Sequence, residues 1–163
     1  MSERTVLADL QVPDGAILYY ESMVQKDMDR TGNWRFYFDV GGCFYQMRNK
    51  QLWLTEEAQL EDSDPELFWS SPIPDEPVRR LTADQLAELR KAIERAKVGE
   101  LKSYYASRSF QRASSPVVAR WTFVQGADTQ SIVVEPGAAP RRLVDLRTKI
   151  DQLIADAPRP TPP

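Results

Sequence analysis

The chain is short of the imidazole and thiol groups on which much nucleophilic, redox and zinc chemistry rests. It contains no histidine and one cysteine, Cys43. Those counts remove Ser-His-Asp and Cys-His triads, imidazole or thiolate zinc cages, CxxC redox pairs and an internal disulfide. A thiol at its ordinary pKa is mostly protonated at neutral pH, and activation needs a neighbouring His, Lys, Arg or helix N-terminus. Beside Gly42 at the start of a strand, Cys43 reads as a small buried hydrophobe. Asp27-Met28-Asp29-Arg30-Thr31-Gly32 matches the opening of a calcium loop, with oxygen ligands and a glycine in sequence order. Phe38 stands where that loop needs a bidentate Glu, and Arg30 places a cation among the ligands. The hexapeptide therefore reads as a hairpin loop closed by Gly32-Asn33. No catalytic residue, metal or cofactor site is expected.

Carboxylates are the one abundant reactive group. Residues 51–78 hold eight of them and no Lys or Arg: Glu56, Glu57, Glu61, Asp62, Asp64, Glu66, Asp75 and Glu76. Glycosidase or two-metal nuclease chemistry needs two carboxylates at a set separation on rigid elements. The same stretch carries Pro65, Pro72, Pro74 and Pro77, a density that forbids a long helix or a central strand. Acids on such a loop are not held for general acid/base work. At its centre lies an apolar cluster, Leu67-Phe68-Trp69. Aromatic anchors ringed by charge resemble interface hot spots. The expected partner-binding residues are Glu61, Asp62, Asp64, Glu66, Leu67, Phe68 and Trp69, and the expected partner is a protein with a basic surface. The competing reading folds Phe68 and Trp69 back over an open end of the core.

The overall net charge is −3, which argues against strong nonspecific binding to nucleic acid, since that needs a basic footprint. Residues 79–163 hold 15 basic and 9 acidic side chains, so a local basic patch is available there. Tyr104-Tyr105 with Arg108 and Arg112 has the aromatic-basic mixture of a nucleic-acid groove, over too few residues to carry that reading. Arg141-Arg142 opens a helix against the preference of its dipole and reads as a solvated first turn, or as a pair for acids of the loop or of a partner. The N-terminus has charges within its first four residues and no apolar core of a secretory signal, and no stretch is apolar enough to span a bilayer. The expectation is a cytoplasmic protein that does not enter the membrane.

These groups need a scaffold, and the hydrophobic pattern supplies one. Ala16–Val24 reads as a strand. Trp34, Phe36, Phe38 and Val40 alternate with Arg35, Tyr37 and Asp39, which puts large apolar groups on one face and polar-tipped groups on the other. Gly41-Gly42 fits a type I′ hairpin turn, and Cys43–Leu54 returns as a third strand. Leu81–Gly99 reads as a helix: Thr82 caps it, Gln85 completes a capping box, Leu81 and Leu86 form a hydrophobic staple, and Gly99 supplies the stop. Leu86, Leu89, Ile93 and Ala96 make its apolar face, which must rest on something flat and apolar, and the Trp34/Phe36/Phe38 face is the obvious candidate. A polar connection, a hairpin (Val117–Val124 and Thr129–Glu135) and a second helix follow. That helix opens at Pro140 and carries the stripe Leu143, Leu146, Ile150, Leu153 and Ile154. The order β-β-β-α-β-β-α predicts an α+β fold: one antiparallel sheet of about five strands with both helices on one face. Residues 1–15 are expected as an N-terminal arm, 16–156 as one domain containing the acidic Pro-rich loop 55–80, and 157–163 as a proline-rich tail that is disordered or extended.

Leu81-Thr82-Ala83-Asp84-Gln85-Leu86-Ala87-Glu88-Leu89, the hairpin Arg120-Trp121-Thr122-Phe123 to Ile132-Val133-Val134, and Gly137-Ala138-Ala139-Pro140 leading into Leu143-Val144-Asp145-Leu146 together resemble the emfourin-type small protease inhibitors and related bacterial proteins. The resemblance covers under half of the chain. It implies a strand-rich first half, a helix, a hairpin and a closing helix, and binding to a protease without chemistry. The long acidic insertion and longer first strands depart from that pattern, so no binding residue is carried over. The leading expectation is a noncatalytic protein-binding domain, an inhibitor or immunity-like partner that blocks an enzyme or toxin. One rival is a ligand-binding or enzymatic domain whose sheet/loop cleft holds an anionic small molecule through Arg120, Arg141 or Tyr105. Another is a structural subunit of a larger assembly.

Overall fold

The structure, a computed structural model, describes residues 12–24, 34–48, 72–107, 117–135 and 137–159. Its strands are β1 (Ala16–Val24), β2 (Trp34–Asp39), β3 (Cys43–Arg48), β4 (Arg79–Arg80), β5 (Tyr104–Tyr105), β6 (Val117–Gln125) and β7 (Asp128–Val134). The helices are α1 (Ala83–Ala96) and α2 (Arg141–Asp156), with a short 3-10 turn at Val98–Glu100 after α1. All seven strands join one sheet in the order β4-β3-β2-β1-β6-β7-β5. The two hairpins, β2–β3 and β6–β7, are spliced by β1, which pairs antiparallel with β2 on one side and β6 on the other.

The α+β class and the helix layer follow the alternation in the sequence, but the sheet is larger than five strands and is mixed. β4 pairs antiparallel with β3, while β5 pairs parallel with β7. Both additions are two residues long and sit at the edges, too short for an alternating pattern to reveal. Short, charged or covered edges are a common way to stop a sheet from recruiting further strands.

The helix-facing side of the sheet is a ladder of large apolar groups. Cross-strand partners run Phe44–Phe38–Leu18–Phe123 in one row and Gln46–Phe36–Tyr20–Trp121–Ile132 in the next. The rings interlock: Tyr20 meets Phe36 at 4.9 Å and Trp121 at 4.8 Å, and Phe36 meets Phe44 at 5.5 Å between centroids. Leu89 and Ala96 of α1 and Leu143, Leu146, Ile150 and Leu153 of α2 close over this surface. Arg147 of α2 lays its guanidinium over the rings of Trp34 (4.6 Å) and Tyr20 (5.0 Å), closing the core with a cation–π contact.

The capping box of α1 is complete: Thr82 Oγ1 accepts from the Gln85 N–H at 3.2 Å and Gln85 Oε1 accepts from the Thr82 N–H at 2.9 Å. Two turn assignments need correction. Lys97, with φ +46°, ends α1 in the left-handed region, and Gly99 lies beyond it in the 3-10 turn. In the β2–β3 hairpin only Gly42 has a positive φ (+87°), so the turn is not type I′. Instead the Gly42 N–H donates to Asp39 O, and Asp39 Oδ1 accepts from the N–H groups of Gly41 and Cys43 at 2.9 Å. A Cβ on Gly42 would stand 3.3 Å from the Leu81 Cβ, so the glycine also lets the entry to α1 approach the hairpin closely. After α2, Ala157 is buried in the core, and Pro158 O accepts from the Arg80 N–H.

Candidate functional site

The opposite side of the sheet is polar, and it too is withdrawn from solvent. One cross-strand row reads Tyr45–Tyr37–Tyr19–Thr122–Ser131 and the next reads Met47–Arg35–Glu21–Arg120–Val133–Tyr104. A single carboxylate between two guanidinium groups therefore lies across the three central strands. Arg120 Nε donates to Glu21 Oε2 at 2.7 Å, with Arg120 Nη2 at 2.5 Å from the same oxygen. Tyr19 donates its hydroxyl proton to Glu21 Oε1 at 3.0 Å and accepts from Arg35 Nε at 3.1 Å. Glu21 and Arg35 are 4% and 6% exposed. A buried charge is tolerated only when paired and hydrogen-bonded, and this network supplies both.

Burial, then the neighbouring Glu21 carboxylate, pushes the Tyr19 pKa up to about 12 against the opposing pull of Arg35. Burial raises Tyr37, with Asp75 and Asp39 adding to it, and burial plus the hydrogen bond to Asp39 raises Tyr45. Tyr19 and Tyr45 keep their hydroxyl protons at neutral pH and donate them to Glu21 and Asp39. Thr122 and Ser131 share a 3.1 Å hydroxyl contact.

At the β2–β3–β4 corner this face meets the return of the acidic segment. Ile73 is buried with Ala16, Tyr19 and Tyr37, and Tyr45 packs beside them. Tyr37 and Tyr45 stack at 4.5 Å and 14°. Tyr45 donates to Asp39 Oδ2 at 3.0 Å, so both oxygens of Asp39 are engaged, one by the turn and one by the ring. Asp75 and Glu76, the described pair among the eight acids, are exposed just after Ile73. The Val78 N–H then donates to Phe44 O at 2.7 Å, leading into β4.

The expected partner-binding residues Glu61, Asp62, Asp64, Glu66, Leu67, Phe68 and Trp69 lie outside the described residues, as do Glu56, Glu57, the Asp27–Gly32 loop, Arg108 and Arg112. The three side chains considered for an anionic ligand are not brought together. Arg120 is engaged by Glu21 on the polar face. Tyr105 packs against the helix-side core, with its hydroxyl accepting from the Lys102 N–H. Arg141 sits exposed at the start of α2, 3.1 Å from Asp145. Its neighbour Arg142 pairs with Glu100 at 2.8 Å. Cys43 is a half-buried free thiol opposite Arg80. Among the described residues, no three His, Cys, Asp or Glu side chains converge on a metal position, and no helix is long and apolar enough to cross a membrane.

The charged row was not legible in the sequence because Glu21 and Arg120 are 99 residues apart. The usable signal was the alternation in β2, which placed Arg35 and Tyr37 on the face away from the helices. Comparison with protein-family models, with curated proteins and with solved structures finds no match for this chain.

Proposed function

We propose that this chain is a noncatalytic protein-binding domain, an inhibitor or immunity-like partner that blocks an enzyme or toxin. The observation that carries the reading is the continuity of one chemical character. The acidic, aromatic composition of residues 51–78 continues at its described end as exposed Asp75 and Glu76 beside the Tyr37–Tyr45 stack. A field of one sign speeds encounter with a basic partner, and aromatic rings supply anchors once contact is made. A second concentration of ionisable groups, Glu21 with Arg35, Arg120 and Tyr19, is spent on mutual pairing inside the molecule. The emfourin-type resemblance implies the same noncatalytic mode.

The test pairs capture with stability. Bait carrying Phe68→Ala and Trp69→Ala is expected to keep its melting temperature, to lose the partner retained by the unaltered protein from the native organism, and to lose inhibition of that partner's activity. Lys in place of Asp75 and Glu76 is expected to weaken capture and to make it less sensitive to salt. A melting temperature that collapses in the Phe68/Trp69 variant would assign those rings to the core and overturn the reading.

A further inference from the structure

On the outer side of the helix layer, α1 and α2 leave an open groove of about 570 Å³ between them. Its floor is made of the small residues Ala92 and Ala96 with Leu146, and its rims are charged. Four basic side chains (Lys91, Arg95, Arg142 and Lys149) and two acidic ones (Glu88 and Asp145) line it, leaving an excess of two positive charges. Most of these groups are already matched. Lys149 pairs with Glu88 at 3.2 Å, Asp145 with Arg141, and Arg142 with Glu100. Lys91 and Arg95 are exposed and make no ion pair among the described residues. They stand four residues apart on one face of α1, about 6 Å along the helix axis. The excess charge of the groove therefore resides on this one ridge.

We infer that the α1–α2 groove binds an acidic helix of a protein partner, with carboxylates spaced four residues apart set against Lys91 and Arg95. Three features favour that occupant. The cation spacing equals the spacing of same-face acids on a helix. The trough between two helices is the shape that receives a third, as in other helix-in-groove recognition. The rest of the lining mixes signs, in the Glu88–Lys149 and Asp145–Arg141 pairs, which the uniform charge of a polyphosphate does not match. A peptide helix can instead present neutral or basic residues opposite the acids of those pairs. Small-molecule sites are mostly apolar and enclosing, whereas six of the eleven residues lining this open groove are charged. The inference stands independently of the acidic corner, because it concerns the other side of the molecule and ligand charge of opposite sign.

The experiment uses the full chain and a labelled alanine-based helix with glutamates at i and i+4, compared with its glutamine counterpart and with a single-stranded oligonucleotide of equal charge. The glutamate helix is expected to bind at low ionic strength, to be released by salt, and to shift backbone amide resonances of α1 and α2 and not those of β2 and β3. The double reversal Lys91→Glu/Arg95→Glu is expected to reduce that binding by at least about tenfold. Lys102→Glu, an exposed reversal outside the groove, is expected to leave it unchanged. Thermal melts establish that both variants fold. The inference is overturned if the glutamate helix fails to bind, if it binds the double reversal equally well, or if the oligonucleotide binds more tightly through Lys91 and Arg95.

Discussion

The two faces of the sheet are made by the same strands and the same alternation, yet they are held by different forces. Toward the helices, Phe36, Phe38, Phe44 and Phe123 are at most 1% exposed and are stabilised by dispersion and by release of water. Toward the other side, the Tyr19–Glu21–Arg35–Arg120 network is almost as dry but depends on directional bonds. An apolar core loses stability roughly in proportion to the volume removed. A charged network behaves otherwise: removal of one member strands the remaining charge, while removal of a matched pair costs far less.

Truncation on each face sets the upper end of that contrast. Phe36→Ala is expected to cost about 3–5 kcal/mol in chemical denaturation and Phe36→Leu much less, because the cavity term dominates. Glu21→Ala is expected to cost a similar amount, about 3–5 kcal/mol, with no comparable cavity. The joint change Glu21→Leu/Arg120→Leu should recover the part of that loss owed to Arg120, while the cost at Arg35 on the neighbouring strand remains. A double variant as unstable as the sum of its single changes would remove the distinction between the faces.

Alkaline pH probes the same contrast more gently. Tyr19 is raised from 10.0 to about 12 in the folded chain. The native state therefore holds a proton that the unfolded state releases, so its contribution is full below pH 10 and declines as pH rises toward 12. Denaturation series across that window should show a falling stability, and Tyr19→Phe should flatten the slope. The helix layer supplies the smaller effects. Thr82→Ala is expected to cost about 1 kcal/mol by removing half of the capping box. Lys97→Gly is expected to raise stability by up to about 1 kcal/mol, since glycine adopts the left-handed conformation without strain. Both are readable as shifts in denaturation midpoint.

How much of this was legible follows from the range of the interactions. The strand Ala16–Val24 and the Thr82/Gln85 capping box are local, and their signals lie within a few residues. The apolar face of β2 was legible because alternation separates it from Arg35 and Tyr37. The row Arg35–Glu21–Arg120 was not, since it depends on β1 inserting between two hairpins that are far apart in sequence. Lys97 replaced Gly99 as the helix stop because local geometry overrode residue preference. Arg79–Arg80 and Tyr104–Tyr105 carry no strand signal because two residues contain no periodicity. Of the site, the acidic segment could be read from composition, while the Tyr37–Tyr45 stack needed the β2–β3 register.

The terminal strands of the sheet constrain how a visitor can approach. β4 and β5 each present two residues of backbone, one built from Arg79 and Arg80 and the other from paired tyrosines. Among the described residues β4 covers only Cys43 and Phe44 of β3, and β5 only Val133 and Val134 of β7, so a polypeptide extending the hydrogen-bonded lattice there would meet a stepped margin, with its register set by where each short strand stops. In the proposed protein-binding reading, discrimination among partners would lie in charge and ring contacts, which single substitutions retune without rebuilding the lattice.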